Sequence, residues 1–234
     1  HMGYCTDIFA EEAMRFIQEN HQSPFFCYIS FNAPHTPLQV PKKYYQLYKD
    51  IDPSAGLEKN SAFLNMSDQD QEDARKVYAM VTNIDDNVGK VLSKLEQLKI
   101  SKNTVVIFMT DNGPQQTRYV GGMRGKKGSV YRGGVRVPFY LRYPAFEANK
   151  DIQASTAHID VLPTLAQICQ VKLPANIDGR SLLPLLRGEQ VDWSDRSLFF
   201  YWSRRYPELY NNVALQKGDY KLVGHANYNA AITD

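Results

Sequence analysis

The sequence predicts an α/β domain with a mostly parallel sheet flanked by helices, followed by a small antiparallel unit. Two observations predict the sheet: a helical pattern precedes a short apolar run at residues 25–31, and a second one precedes another at residues 104–109. A helix followed by a buried strand, occurring twice, is typical of a parallel α/β sheet. Beyond Gly179 the segments shorten, and strand-like runs on either side of Lys217-Gly218-Asp219 predict an antiparallel hairpin.

The first helix and strand lie near the N-terminal end of the sequence. Apolar residues recur at helical spacing over residues 7–20, which predicts an amphipathic helix. The run from Phe25 to Phe31 is apolar without a helical period, so we expect a strand that is buried on both faces. Three prolines and a glycine interrupt residues 36–66, which we expect to form an irregular surface segment.

The second helix is much longer and precedes the clearest strand. Apolar residues recur every three or four positions from Ser67 to Leu98, and Asp68 and Asp70 follow the serine as in a helix start. Residues 104–109 are β-branched and apolar, which predicts a second buried strand.

The remaining elements are shorter. The pattern predicts a strand at Val135–Tyr143, a helix at Ser155–Cys169, a helical turn at Leu182–Leu186, and strands at Leu198–Trp202, Val213–Gln216 and Tyr220–Val223. We therefore divide the chain into an α/β part at residues 1–180 and a small α+β subdomain at residues 181–234.

Composition excludes two classes of partner. The chain has 27 basic and 25 acidic residues, and a net charge of +2 is too small for a nonspecific nucleic-acid binder. No run approaches the roughly 18 uninterrupted apolar residues of a membrane span. Any partner must be inferred from local sites.

Polar residues follow both predicted strands of the main sheet, where ligands bind in parallel sheets. His35 comes after the first strand, and Asp111-Asn112-Gly113 comes directly after the second. The aspartate and asparagine offer oxygen ligands of the kind that Ca²⁺ or Mg²⁺ prefers, although Asp-Asn-Gly is also a common turn. The alternative for His35 is simple exposure or capping, which is the more frequent role of an isolated histidine in a proline-rich loop.

A basic, glycine-rich loop follows the Asp-Asn turn. Arg124-Gly125-Lys126-Lys127-Gly128-Ser129, with Gly133-Gly134 after it, combines cations with accessible backbone and suits a tetrahedral oxyanion. The alternative is a flexible basic surface loop. Arg118 follows the same turn, where it either lines the pocket or lies in a solvated loop.

Three blocks of this sequence, in order, resemble the sulfatases of the alkaline phosphatase superfamily. They are Ala33-Pro34-His35-Thr36-Pro37-Leu38-Gln39-Val40-Pro41, Thr110-Asp111-Asn112-Gly113 and Gly125-Lys126-Lys127-Gly128-Ser129-Val130-Tyr131-Arg132-Gly133-Gly134-Val135-Arg136-Val137-Pro138. The resemblance runs from about Tyr4 to Val223, and the segment at residues 158–165 is also similar. It implies an alkaline-phosphatase-like α/β fold, incomplete here, and the C-terminal portion of a catalytic domain.

The resemblance also implies roles for individual residues. Asp111 and Asn112 match two ligands of a divalent cation, usually Ca²⁺. Lys127 matches the lysine that contacts the sulfate, and His35 matches a histidine that is a candidate general acid. Apart from the resemblance, Arg118 and Arg124 are expected to bind substrate because they follow the Asp-Asn turn and lie in or near the basic loop. A cation, a lysine and a protonated histidine would together stabilise the charge that develops on the departing oxygen.

The sequence departs from the family at two points. The family nucleophile is a formylglycine made from the Cys or Ser of a Cys/Ser-x-Pro/Ala-x-Arg motif, and none of the three cysteines is followed by such a motif. Arg132 stands where many relatives have glutamate. We therefore expect a sulfatase fragment that is inactive alone, with part of the metal site absent.

The resemblance leaves the substrate and the compartment open. A sulfated small molecule or glycan is the expected substrate, and a periplasmic, secreted or lysosomal location is implied. The alternatives are a phosphodiesterase or phosphonate hydrolase of the same superfamily, or a binding domain without catalysis. Because part of the sheet is expected to be uncovered, we also predict self-association of this chain.

Overall fold

The computed structural model describes residues 2–55, 66–143, 145–146, 150–206 and 210–224. Within these residues the α-helices are α1 Cys5–Asn20, α2 Lys42–Tyr45, α3 Asp68–Gln97, α4 Arg132–Val135, α5 Val161–Ile168 and α6 Leu183–Leu186. The strands are β1 Val106–Met109, β2 Phe139–Arg142, β3 Ser197–Tyr201, β4 Val213–Lys217 and β5 Tyr220–Gly224. No helix among the described residues is long and apolar enough to cross a membrane.

The two long helices pack against each other, as their sequence patterns require. Ala10, Ala13 and Ile17 lie on the buried face of α1, and the contact with small alanine side chains allows close approach to α3. Ser67 caps α3: its side chain accepts a hydrogen bond from the backbone of Asp70, whose carboxylate accepts one in return. The helices predicted at residues 7–20 and 67–98 are confirmed.

A polar cluster is enclosed between these helices. Asn83 and Asn87 of α3 are fully buried, and each donates a 2.7 Å hydrogen bond to the carboxylate of Asp7. Partial burial of Asp7 opposes ionisation, but the hydrogen bonds from Asn87 and Asn83 outweigh it and lower the pKa of Asp7. The cluster therefore fixes the position of α1 along α3.

The predicted parallel sheet is not confirmed. β1 and β2 pair antiparallel, with Ile107 opposite Leu141. Residues 24–32 belong to no strand among the described residues, so they provide no parallel neighbour for β1. The strand expected at Phe25–Phe31 was also expected to be buried on both faces, and this is wrong: Phe26 and Tyr28 are 75% and 74% exposed. Alternate residues face the protein, as in one side of a sheet.

Two predicted elements begin later than their patterns suggested. The strand expected from Val135 starts only at Phe139, because Pro138 has no N–H to give to a ladder. The helix expected from Ser155 starts at Val161, after a 3₁₀ turn, because Pro163 is tolerated in a first helical turn but not in a helix interior.

The C-terminal strands form a separate antiparallel sheet in the order β3-β4-β5, which confirms the predicted hairpin. Buried bonds join this part to the preceding one. Arg196 and Asp160 form an ion pair in which both side chains are at most 5% exposed. Thr164 accepts a hydrogen bond from the backbone N–H of Leu182 at 2.8 Å. The division at residue 180 remains a prediction, and these bonds cross it.

Candidate active site at the end of β1

The Asp-Asn turn leaves oxygen atoms available at the end of β1. Asp111 is exposed and makes no hydrogen bond or ion pair with the residues that the structure describes. Asn112 donates its amide N–H to the carbonyl of Gly113 at 3.1 Å, so its side-chain oxygen remains for another partner. A carboxylate and an amide oxygen side by side are suitable ligands for a hard divalent cation.

His158, from a later segment of the chain, forms a hydrogen bond to the start of this turn. The ring Nε2 of His158 lies 2.7 Å from the carbonyl oxygen of Thr110, the residue before Asp111. A carbonyl only accepts, so Nε2 carries the proton and donates. The last backbone carbonyl before Asp111 is thereby fixed.

The turn is bonded to the loop at residues 124–134, here called the lysine loop. The N–H of Gly113 donates to the carbonyl of Gly134 at 2.9 Å, and the N–H of Lys127 donates to the carbonyl of Pro114 at 2.8 Å. Two backbone hydrogen bonds thus hold the Asp111-Asn112 turn beside Lys127. The structure brings these three predicted residues into one region.

The contact between turn and loop requires glycine. A Cβ atom at Gly113 would lie 1.8 Å from the carbonyl oxygen of Gly133, and one at Gly133 would lie 2.1 Å from that of Gly125. Both distances are far inside van der Waals contact, and both obstacles are backbone atoms that cannot rotate away. Gly113 therefore allows the turn to touch the lysine loop, and Gly133 allows the two ends of that loop to pack together.

The lysine loop also rests on the C-terminal sheet. Asn212 donates to the carbonyl of Gly128 at 2.8 Å and accepts from the N–H of Val130 at 3.1 Å. The ring of Trp202 lies 3.3 Å from where a Cβ of Gly128 would be. The residues that flank Lys127 are therefore held by the C-terminal unit as well as by the turn.

The two predicted substrate-binding arginines differ in their surroundings. Arg124 stacks on Tyr131, with its guanidinium carbon 4.0 Å from the ring centroid. Arg118 lies close to Tyr78 and Asp73 of α3 and donates to Gln116 at 3.0 Å. Burial lowers the pKa of the Arg118 guanidinium. Substrate binding by either arginine remains a prediction.

His35 is placed in an exposed loop. Its Nδ1 lies 2.7 Å from the carbonyl oxygen of Thr36, so Nδ1 carries a proton there and Nε2 is left for another partner. Among the described residues, no hydrogen bond or ion pair joins His35 to the turn or to the lysine loop. Its convergence on the site remains a prediction.

Arg132, which replaces the glutamate of many relatives, has a basic neighbour. Burial and the charge of Arg132 together lower the pKa of Lys221 on β5. The ammonium group of Lys221 lies 4.5 Å from the ring centroid of Phe200 and has no hydrogen-bond partner among the described residues. Arg132 and Lys221 thus lie close to each other, and neither pairs with an acidic side chain among the described residues.

Sequence reasoning missed two residues that position the site: His158 and Asn212. His158 lies in a segment that resembles the family, but no role follows from that pattern. The sequence offers Trp202, with Arg204, Arg205 and Tyr206, as residues that contribute to the pocket from the C-terminal unit, with packing and surface charge as the equal alternative. Asn212 gives no sequence signal, because its hydrogen bonds span more than 80 residues of chain and depend on the tertiary fold.

This chain belongs to the sulfatase family. The Sulfatase family model matches residues 2–171, and the model described as "N-sulphoglucosamine sulphohydrolase, C-terminal" matches residues 125–232. The chain is 31% identical over 234 residues to steryl-sulfatase of Mus musculus, covering 93% of this chain and 34% of that protein. It is 30% identical over 233 residues to a sulfatase of Formosa agariphila, covering 89% of this chain and 38% of that protein.

A solved structure confirms the fold. The crystal structure of Ps i-CgsB in complex with k-i-k-neocarrahexaose superposes with a TM-score of 0.77 at 27% identity, covering 97% of this chain and 47% of that chain. The fold is therefore that of the sulfatases, which is α/β and alkaline-phosphatase-like. The chain spans about a third of the length of the curated relatives it matches.

Proposed function

We propose that the complete protein hydrolyses sulfate esters, and that the Asp111-Asn112 turn and Lys127 act on the same sulfate group. The observation that carries this proposal is the pair of backbone hydrogen bonds from Gly113 to Gly134 and from Lys127 to Pro114. They hold the oxygen ligands for a cation beside the backbone of Lys127, and a cation and a lysine together would stabilise the negative charge that develops as the sulfate ester is cleaved.

The residues present fit part of a cation site. Asp111 and Asn112 offer only oxygen, which suits Ca²⁺ or Mg²⁺ rather than a softer metal. The described residues contain no group of three His, Cys, Asp or Glu side chains able to hold a metal. We propose that Ca²⁺ is bound by this pair together with ligands outside these 234 residues, and that the formylglycine nucleophile of the family also lies there. A bound cation would supply positive charge at the sulfate oxygens.

Each residue of this chain then has a distinct part in the reaction. Hydrolysis breaks the S–O bond to the alcohol, forms an S–O bond to an oxygen that comes from water, and transfers a proton to the departing alcohol oxygen. Lys127 neutralises charge on the sulfate. His35 donates the proton through Nε2, since Nδ1 is already bonded to Thr36.

Two neighbouring lysines provide a matched test. In the complete protein, Lys127→Ala should lower kcat/KM for p-nitrophenyl sulfate by about 100-fold or more, in the range for loss of one charge-stabilising group. Lys126 is exposed and lies near Asp70 at the start of α3, away from this role. We expect Lys126→Ala to change kcat/KM by less than about threefold, as for an exposed charge.

Cation binding is measured separately by calorimetry with Ca²⁺. Asp111→Ala should abolish binding that the unsubstituted protein shows, whereas Lys126→Ala should leave it intact. The proposal fails if the complete protein hydrolyses no sulfate ester, or if the two lysine variants lose activity equally.

The substrate and the location of the complete protein are proposed from the family and its solved structures. A sulfated sugar is the favoured substrate, in agreement with the carrageenan-type ligand of Ps i-CgsB. A periplasmic, secreted or lysosomal location agrees with the family. The phosphodiesterase or phosphonate-hydrolase alternative uses the same cation and lysine, and activity on phosphate diesters measured beside sulfate esters distinguishes it.

A further inference from the structure

A cavity of about 530 Å³ lies where the lysine loop meets the C-terminal sheet. Gly128 and Tyr131 line it on the loop side, and residues at the end of β3 line the other side. Gly128 directly follows Lys127, so the cavity begins one residue from the proposed sulfate contact. Its volume is in the range of small-ligand sites and exceeds the needs of a sulfate ion alone.

The lining of this cavity combines aromatic rings with cations. The lining residues include the aromatic residues Tyr131, Trp202 and Tyr206 and the cationic residues Arg204 and Arg205. The described residues that line the cavity include no Asp or Glu. Aromatic rings pack against the apolar C–H face of a sugar, and guanidinium groups bind sulfate or carboxylate oxygens in pairs. The set therefore suits an anionic sugar.

Local hydrogen bonds hold the two arginines on one short turn. The hydroxyl of Ser203 accepts from the N–H of Arg205 at 3.3 Å and donates to the carbonyl of Tyr206 at 2.8 Å. Arg204 lies over the ring of Trp202, with its guanidinium carbon 5.9 Å from the ring centroid. Asn212 donates to the carbonyl of Trp202 at 3.1 Å and to that of Gly128 at 2.8 Å, so the arginine turn is held next to the lysine loop.

We propose that this cavity binds the sugar unit next to the one that carries the scissile sulfate, and that Arg204 and Arg205 recognise an anionic group on that neighbouring unit. This inference rests on the proposed sulfatase function for the position of the scissile group. It adds a substrate class: oligosaccharides that carry negative charge on adjacent units.

The test uses the complete protein and two series of di- and tetrasaccharides. Carrageenan oligosaccharides carry sulfate on the neighbouring unit, and glycosaminoglycan oligosaccharides also carry carboxylate. For at least one series, Arg204→Ala/Arg205→Ala should raise the dissociation constant at least tenfold by calorimetry. If that series is hydrolysed, KM should rise similarly while kcat changes less than threefold, because the subsite binds ground and transition states alike.

A double variant of equal charge serves as the control. Arg15 and Arg187 are exposed residues outside the cavity, and Arg15→Ala/Arg187→Ala should leave oligosaccharide affinity unchanged. Arg204→Lys/Arg205→Lys keeps the charge but not the paired donors, so affinity should fall by an intermediate factor. A loss limited to the carrageenan series would identify sulfate as the recognised group, and a loss limited to the glycosaminoglycan series would identify carboxylate.

The outcomes separate this inference from the proposed function. If p-nitrophenyl sulfate is hydrolysed but the Arg204→Ala/Arg205→Ala variant binds both series like the unsubstituted protein, the subsite is wrong and the sulfatase proposal stands. If no oligosaccharide binds the unsubstituted protein, the subsite is also wrong. If binding depends on the arginines but no sulfate ester is hydrolysed, the cavity still binds anionic sugars, but the proposed function fails and with it the position of the cavity beside a scissile sulfate.

Discussion

The guanidinium of Arg196 donates a 2.5 Å hydrogen bond to the carboxylate of Asp160, and neither side chain has appreciable contact with solvent. The same carboxylate accepts from the backbone N–H groups of Ala157 and Arg180. Arg196→Ala would leave a buried carboxylate without its counter-charge. We expect the free energy of unfolding to fall by about 3–5 kcal/mol.

Arg180→Ala is the matched control for this substitution, measured by the same urea unfolding series. The Arg180 side chain pairs with Asp195 at the surface, while its bond to Asp160 comes from the backbone. Little change is therefore expected. Equal losses in the two variants would show that the buried pair has no special importance.

The Asp7 cluster should make stability depend on pH. The pKa of Asp7 in the folded chain is lowered, so its contribution is complete above the unfolded value of about 3.9 and is lost as pH falls through the lowered folded pKa. Asp7→Asn should cost about 1–3 kcal/mol near neutral pH, where the charged hydrogen bonds are lost. It should also lose less stability on acidification than the unsubstituted chain.

The measurement is chemical unfolding at neutral pH and below about pH 4. Asn87→Ala removes one of the two donors to Asp7 and should move the acid-dependent loss to higher pH. An acid profile of the Asp7→Asn variant that matches the unsubstituted chain would contradict the assignment.

His35 should matter most for substrates with poor leaving groups. In the complete protein, His35→Ala should lower kcat by about 100-fold or more for an alkyl or sugar sulfate, because that alcohol needs a proton as it departs. For p-nitrophenyl sulfate the loss should be less than about tenfold, since nitrophenolate leaves without one. His21→Ala provides a control histidine at the end of α1. Equal losses on both substrates would exclude the acid role.

Residues 24–32, which pair with no strand among the described residues, should promote self-association of the 234-residue chain. Phe26 and Tyr28 project from the same side of this segment and are 75% and 74% exposed. Phe26→Ser/Tyr28→Ser should shift sedimentation velocity profiles toward monomer. Phe199→Ser/Leu222→Ser alters residues of similar exposure, 77% and 75%, on the C-terminal sheet. A monomeric unsubstituted chain, or a shift caused only by the second pair, would count against this segment.

The helices were predictable because the features that specify them, apolar spacing and capping residues, lie within the helix sequence itself. The alanines of α1 and the Ser67 cap of α3 appear in the sequence as period and cap. Strand pairing was not predictable in the same way, because the direction of a neighbouring strand is set by the tertiary fold. The run at Phe25–Phe31 has the composition of a central strand, yet half of its side chains face solvent here.

The sequence predicted those residues of the candidate site that lie within the family motifs. Asp111, Asn112 and Lys127 were named from their motifs, and the structure places their loops together through backbone hydrogen bonds. Asn212 was not identified because it approaches Lys127 only through the tertiary packing of the C-terminal unit. Arg118 follows the Asp-Asn turn in sequence, and this suggested a place in the pocket. In the structure it lies against α3, a contact that the sequence did not indicate.

The hydrogen bonds of Asn212 limit how far this protein can be shortened for engineering. A fragment truncated after residue 180 would retain the three sequence blocks named here but lose the amide that bonds to Gly128 and Val130. The lysine loop would then keep its hydrogen bonds to the Asp111-Asn112 turn but lose those to the C-terminal unit. A shortened version of this chain must therefore extend at least through Asn212, well past the last of the three blocks.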